Sequence, residues 1–174
     1  DGTFLGFKNE TIANLGAYAS VFGTVTPTYL FGPCATGVYK MPAAYSNVKA
    51  VFTNTAPVDA YRGAGRPEAT YTIERLVEKA AKELGMDKTE IRMKNFPTEF
   101  PFQQTLVHSV DSGDYVAGMN KAKEMSDYQG FEKRREESEV KGKLRGIGVT
   151  TYFEACGIAP SAVVMSLGCG IGLW

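Results

Sequence analysis

Apolar residues recur at Ile73, Leu76, Val77, Ala80, Ala81 and Leu84, the spacing of a single stripe along an α-helix. The pattern predicts a helix that begins near Tyr71 and ends at Gly85, a residue with no Cβ to resist a left-handed C-cap. Asp87-Lys88-Thr89-Glu90 follows with the spacing of a capping box, Asp87 as N-cap and Glu90 reaching back to it. A short second helix should therefore run to about Lys94 and stop before Pro97. Tyr115, Met119 and Ala122 mark a third helix, capped by Asp111 or Ser112. The segment 131–141 is so charged that it predicts a solvated surface helix.

On either side of these helices the periodicity changes. Residues 3–22 are rich in Thr, Phe, Leu, Ala and Gly without helical spacing and suit a strand followed by a loop. Pro27, Gly32, Pro33 and Gly37 make 23–39 an irregular connection, whereas Val48, Val51 and Phe52 place a strand within 45–55. Ile147, Val149 and Thr151 alternate in a predicted strand over 143–153, and 162–167 predicts another. Strands, then helices, then strands describe an α+β architecture, mixed strands with a central helical segment. The chain opens on Asp1-Gly2 and closes on Trp174 directly after a strand-like run. A terminal strand without its partner exposes an edge, so residues 1–174 are expected to be a partial domain, an internal piece of a longer polypeptide.

Composition removes several function classes. Nineteen basic residues balance nineteen acidic ones, which leaves no charge excess for nucleic acid or an anionic membrane surface. No apolar run approaches the ~20 residues of a membrane span, and the start lacks the basic-then-apolar form of a secretory signal. Cys34, Cys156 and Cys169 form no C-x-x-C pair and read as reduced thiols of a cytoplasmic protein. His108 is the sole histidine, and no thiol or carboxylate cluster has ligand spacing, so the side chains are not expected to hold a metal; His108 reads as a surface or loop residue. Cys156 lies near Glu154 but has no evident general base, and an inert buried thiol is the default for it.

The candidate chemistry gathers at Ala60-Tyr61-Arg62-Gly63-Ala64-Gly65-Arg66, followed by Pro67-Glu68, between the predicted strand and the first helix. Gly63, Ala64 and Gly65 leave a backbone that a flat ligand can approach, and Arg62 and Arg66 flank it within reach of an anionic group. A nucleotide-phosphate loop is not supported: the third glycine of G-x-G-x-x-G would fall at Glu68, and there is no G-K-[ST]. The alternative is a tight strand-to-helix turn in which glycine serves only for positive φ. Tyr61 either stacks on a ligand or packs against the first helix. Glu154 either lines a pocket or ends a strand facing water.

Asn54-Thr55-Ala56-Pro57 leading into Ala60–Glu68 resembles the active-site loop of molybdenum hydroxylases, most closely the form II branch of aerobic carbon monoxide dehydrogenase large subunits. The resemblance continues through Glu74-Arg75-Leu76, Glu90-Ile91-Arg92, Lys94-Asn95-Phe96 and Gly146-Ile147-Gly148 to Phe153-Glu154-Ala155-Cys156-Gly157. It implies a molybdopterin cofactor, with or without a cytosine dinucleotide, whose dithiolene holds the molybdenum in place of protein ligands. Water would supply the inserted oxygen, and electrons would leave through an iron–sulfur small subunit and an FAD-binding medium subunit. Any membrane association would come only through the electron acceptor. By resemblance Arg62, Gly63, Ala64 and Gly65 lie against the cofactor, with Tyr61 and Glu154 in the substrate pocket. The family's general-base glutamate would lie beyond Trp174 and its pterin-gripping glycines before Asp1, so no catalytic residue is expected within these residues and the isolated piece should be inactive.

Two departures narrow the substrate. Copper-dependent carbon monoxide dehydrogenases carry A-Y-x-C-S-F-R, and Gly63 stands where their copper-binding cysteine would be. Purine-oxidising relatives place a stacking phenylalanine one residue further on, where this chain has Ala64. The resemblance therefore favours an aldehyde or a heterocycle over carbon monoxide. Copper-independent carbon monoxide oxidation and a non-catalytic binding domain are the alternatives.

Overall fold

A computed structural model describes residues 1–154. The predicted strand at 162–167, Cys156, Cys169 and the 155–157 part of the motif lie outside them. Strands β1 (Phe7–Asn14) and β2 (Ala44–Val51) pair in parallel, from Phe7 opposite Ala44 to Asn14 opposite Val51. A parallel pair requires a crossover. That crossover is more regular than its prolines and glycines suggest: it holds a π-helical turn at Thr26–Leu30 and a 3₁₀ turn at Gly32–Cys34. Pro27 and Pro33 both sit at turn starts, where a missing N–H costs nothing.

Helix α1 (Arg66–Leu84) begins five residues before the expected start, so the end of the glycine motif forms its first turn. Apolar periodicity could not show this because Arg66, Pro67 and Glu68 carry no stripe. Ala69, Ile73, Val77 and Ala81 are buried along it, whereas the predicted stripe members Leu76 and Leu84 are exposed. Gly85 adopts the left-handed C-cap as expected. Asp87 caps α2 (Lys88–Lys94), accepting from the Thr89 amide at 2.7 Å and the Glu90 amide at 3.1 Å. Helix α3 (Tyr115–Met125) is capped by Asp114, which accepts from the Ala117 amide at 2.8 Å, and not by Asp111 or Ser112. The charged segment forms the surface helix α4 (Phe131–Glu139). A two-residue antiparallel pair, β3 (Phe102–Gln103) with β4 (Ser109–Val110), completes the mixed α+β arrangement.

Tyr39 and Phe96 stack at 5.8 Å in the core, beneath Ile73, Val77 and Ile91. Two opposite charges lie inside it. Arg92 has no exposed surface, and its Nε donates to Glu74 Oε2 at 2.9 Å. The Glu74 carboxylate also accepts a short bond from the Tyr39 hydroxyl and two from Thr151, amide at 3.0 Å and hydroxyl at 2.9 Å. Burial, and then the adjacent Glu74 charge, push the Tyr39 phenol far above its ordinary range.

The expected strand over 143–153 is absent. Burial alternates along it, with Ile147, Val149, Thr151 and Phe153 half-buried and their neighbours exposed, yet no ladder forms among the described residues. The Thr151 amide is spent on a carboxylate. Alternation reports which side of an extended segment meets the core; a strand additionally needs a partner backbone.

Candidate functional site

Gly63, Ala64 and Gly65 all have positive φ, at 97°, 38° and 88°. Three left-handed residues in succession bend the chain sharply from Tyr61 into α1. Two short backbone bonds close the bend: the Ala64 amide donates to Tyr61 O at 2.8 Å and the Arg66 amide to Gly63 O at 3.1 Å. Among the described residues the amides of Gly63 and Gly65 have no acceptor. Backbone amides without an acceptor at alternate positions of the turn are donors that an oxygen-rich anionic group could use.

Glycine at 65 has a structural reason too. A Cβ there would lie 2.4 Å from Thr26 O and 2.8 Å from Phe31 N, because the loop is tucked against the π-helical turn. At Gly63 it would lie 2.5 Å from Pro67 Cγ. The bareness expected to admit a ligand is thus partly filled from within the chain. The loop is a tight strand-to-helix turn, as one of the two readings expected.

The flanking side chains diverge. Arg62 and Tyr61 are exposed, Tyr61 at 88%, which removes the packing of Tyr61 against the first helix. Arg66 turns inward instead. It is buried, its Nη1 lies 3.5 Å from Gly63 O, and its Nε is 3.7 Å from Glu154 Oε1. Glu154 is therefore neither the end of a strand nor a free carboxylate; it is tethered behind the loop.

Beside this ion pair the fold assembles two residues whose meeting the sequence does not announce. Cys34 Sγ lies 3.4 Å from His108 Nε2, and the His108 ring stands edge-on to Phe153 at 5.5 Å. His108, expected as a surface or loop residue, lies in the loop between β3 and β4 and is half-buried. Burial pushes the Cys34 thiol up to about 11, helped by the Glu154 charge and opposed by Arg66. Burial, and then the Arg66 charge, lower His108. Both groups are therefore neutral near pH 7, which suits packing and not nucleophilic attack. In the unfolded chain the Cys34 thiol ionises near its ordinary 9, before the folded one does. Stability should thus be intact below pH 9 and fall between pH 9 and pH 11. Denaturation across that interval should cost the wild-type protein about 2–3 kcal/mol more than Cys34→Ala. Equal slopes for the two proteins would contradict it.

Among the described residues no group of three His, Cys, Asp or Glu side chains can hold a metal, and no helix is long and apolar enough to cross a membrane.

The sequence matches the model of the molybdopterin cofactor-binding domain over residues 1–96, more than half of the chain. The chain belongs to that family. The matched span of this molybdopterin cofactor-binding domain contains the crossover turns, the positive-φ loop, α1 and α2, and ends before His108 and Glu154. The chain is 38% identical to the carbon monoxide dehydrogenase large chain of Hydrogenophaga pseudoflava, over 98% of its own length and 22% of that protein. It is 34% identical to subunit gamma of the 6-hydroxypseudooxynicotine dehydrogenase complex of Paenarthrobacter nicotinovorans, over 91% and 21%. Quinoline 2-oxidoreductase from Pseudomonas putida 86 superposes with a TM-score of 0.75 at 34% identity, covering 82% of this chain and 18% of that one. The chain thus spans about a fifth of the proteins it matches. It corresponds to part of the large subunit of molybdenum-dependent oxidoreductases.

Proposed function

We propose that this chain forms one wall of the molybdenum cofactor pocket in a hydroxylase that oxidises an aldehyde or a heterocycle, with water as the oxygen source. The observation that carries it is the run of three positive-φ residues at 63–65, with two amides that have no acceptor among the described residues, inside the span that matches the cofactor-binding family. When bound, the cofactor supplies the redox centre at which the substrate is oxidised. The chain's own part is positional. The Gly63 and Gly65 amides donate to anionic oxygens, exposed Arg62 adds positive charge, and Arg66 locks the turn from behind through Gly63 and Glu154. Fixed donors of this kind favour charge that builds up during reaction, since they need no reorganisation.

Gly63 supports hydroxylation over copper-dependent carbon monoxide oxidation, because it offers no sulfur to Cu(I). The 38% identity to a carbon monoxide dehydrogenase large chain keeps a copper-independent carbon monoxide route as the second reading. The partners of the proposed enzyme are an iron–sulfur small subunit and an FAD-binding medium subunit, consistent with relatives named as a large chain and as one subunit of a complex.

Metal analysis of the purified complex should find molybdenum without copper, with turnover on aldehydes or nitrogen heterocycles. Arg62→Ala should lower molybdenum retention without lowering the thermal midpoint. Copper-dependent turnover of carbon monoxide would overturn the hydroxylase reading, and a complex devoid of molybdenum would overturn the cofactor role.

A further inference from the structure

The segment 147–154 lacks a β-ladder, yet it carries Glu154 to a defined place behind the motif loop. Helix α1 holds this segment at two points. Near the helix start, Arg66 meets Glu154; two turns further along, Glu74 takes both the amide and the hydroxyl of Thr151. Glu74 is buried, and Arg92 Nε and the Tyr39 hydroxyl fix its carboxylate from the other side. Its position is therefore set by the core and not by the segment it grips. Lys88 Nζ adds a weaker hold on Ile147 O at 3.2 Å. From Thr151, three residues lead to Glu154, then across the ion pair to Arg66, and from Arg66 back to Gly63 O.

We infer that Glu74 is a positioning residue for the cofactor loop: by clamping Thr151 it sets Glu154 against Arg66, and so holds the 63–65 turn in its donor geometry. This rests on the proposed role of the loop, but it concerns residues that lie outside it. Four donor groups from three residues converge on a single buried carboxylate, more than is needed to pair with Arg92 alone.

The test is hydrogen–deuterium exchange on the intact large subunit in its complex, comparing Glu74→Gln, Glu154→Gln and the double variant. Glutamine keeps the volume of Glu74 but removes the charge that faces Arg92 and half of its acceptor capacity. Glu74→Gln should speed exchange at the Thr151 amide and also at the distant Ala64 and Arg66 amides, the hydrogen-bonded ones of the loop, by ~2–30-fold, the range typical of couplings between linked sites. In the Glu154→Gln background the loop effect should vanish while the effect near Thr151 stays. A purely local structural role would raise exchange around Thr151 only, or give additive loop effects, and either result overturns the inference. Should Glu74→Gln fail to fold, Thr151→Val removes one of the same bonds with little change of shape, and it should move the loop in the same direction; an unchanged loop in that variant also overturns it. Molybdenum content of the wild-type complex is measured in parallel. Wild-type protein without molybdenum sinks the cofactor reading, whereas wild-type protein with molybdenum and an unresponsive loop sinks only the role of Glu74.

Discussion

Arg92→Ala should destabilise the protein by about 3–5 kcal/mol, because it leaves the buried Glu74 carboxylate without its countercharge. Arg92 has no exposed surface and donates to Glu74 at 2.9 Å and to the Lys88 carbonyl at 2.6 Å, with Glu78 at 3.4 Å from Nη2. Truncation forfeits all three contacts and opens a cavity the length of an arginine stem. Glu74 keeps only 6% of its surface exposed, so solvent compensates the unpaired charge poorly. Urea unfolding of the variant should show a lower midpoint with little change in slope. The exposed pair of Lys121 and Glu124 provides the control: it is as short, at 2.9 Å, but more than 60% exposed on both sides. Lys121→Ala should change stability by less than ~0.5 kcal/mol. A similar small loss for Arg92→Ala would mean that the buried pair is not the keystone described.

Gly65→Ala should be comparably severe for a different reason. Its φ of 88° already strains any residue with a Cβ, and the added atom would meet the Thr26 carbonyl oxygen at 2.4 Å and the Phe31 amide nitrogen at 2.8 Å. Those are backbone atoms of the π-helical turn and of its C-cap residue, and they cannot rotate away as a side chain would. Gly85 separates the two contributions, since its φ is also positive, at 63°, but nothing lies within 4 Å of a Cβ there. Gly85→Ala should cost about 1–2 kcal/mol from the left-handed conformation alone. Gly65→Ala should cost at least ~3 kcal/mol, as collisions with fixed neighbours add to strain. Thermal or urea denaturation of the two variants measures the difference directly. Equal losses would show that the loop and the crossover are not in close contact.

The two variants probe parts of the molecule that differ in how openly the chain displays them. Glycine at 63 and 65 and arginine at 62 and 66 stand together in the sequence, so a turn with exposed backbone was legible there. The opposite fates of the two arginines were not. Arg62 points to solvent while Arg66 is drawn under the loop, because only Arg66 lies in the first turn of α1 facing Glu154. Apolar periodicity located α1 and its C-cap but placed its start too late, since the first turn is polar and begins on a proline. The Asp87 cap was readable because capping is a matter of neighbouring residues. The local sequence points to Asp111 or Ser112 as the cap of α3, whereas Asp114, also in range, holds it.

The 143–153 segment marks the limit of such reading. Alternation correctly identified the residues that turn inward, but a ladder depends on a second strand, and here the inward side meets Glu74 and the aromatic core. The sequence by itself determined what short-range physics controls: the helical stripe, the caps, the glycine turn, and a motif distinctive enough to mark the cofactor-binding family. Only the tertiary structure decided that Cys34 meets His108 across 74 positions, that Glu74 and Arg92 pair inside the core, and that Glu154 closes on Arg66. Those contacts join residues far apart along the chain. Their partners are chosen by packing and by the cost of leaving a buried charge or polar group unpaired, and no local pattern encodes that choice.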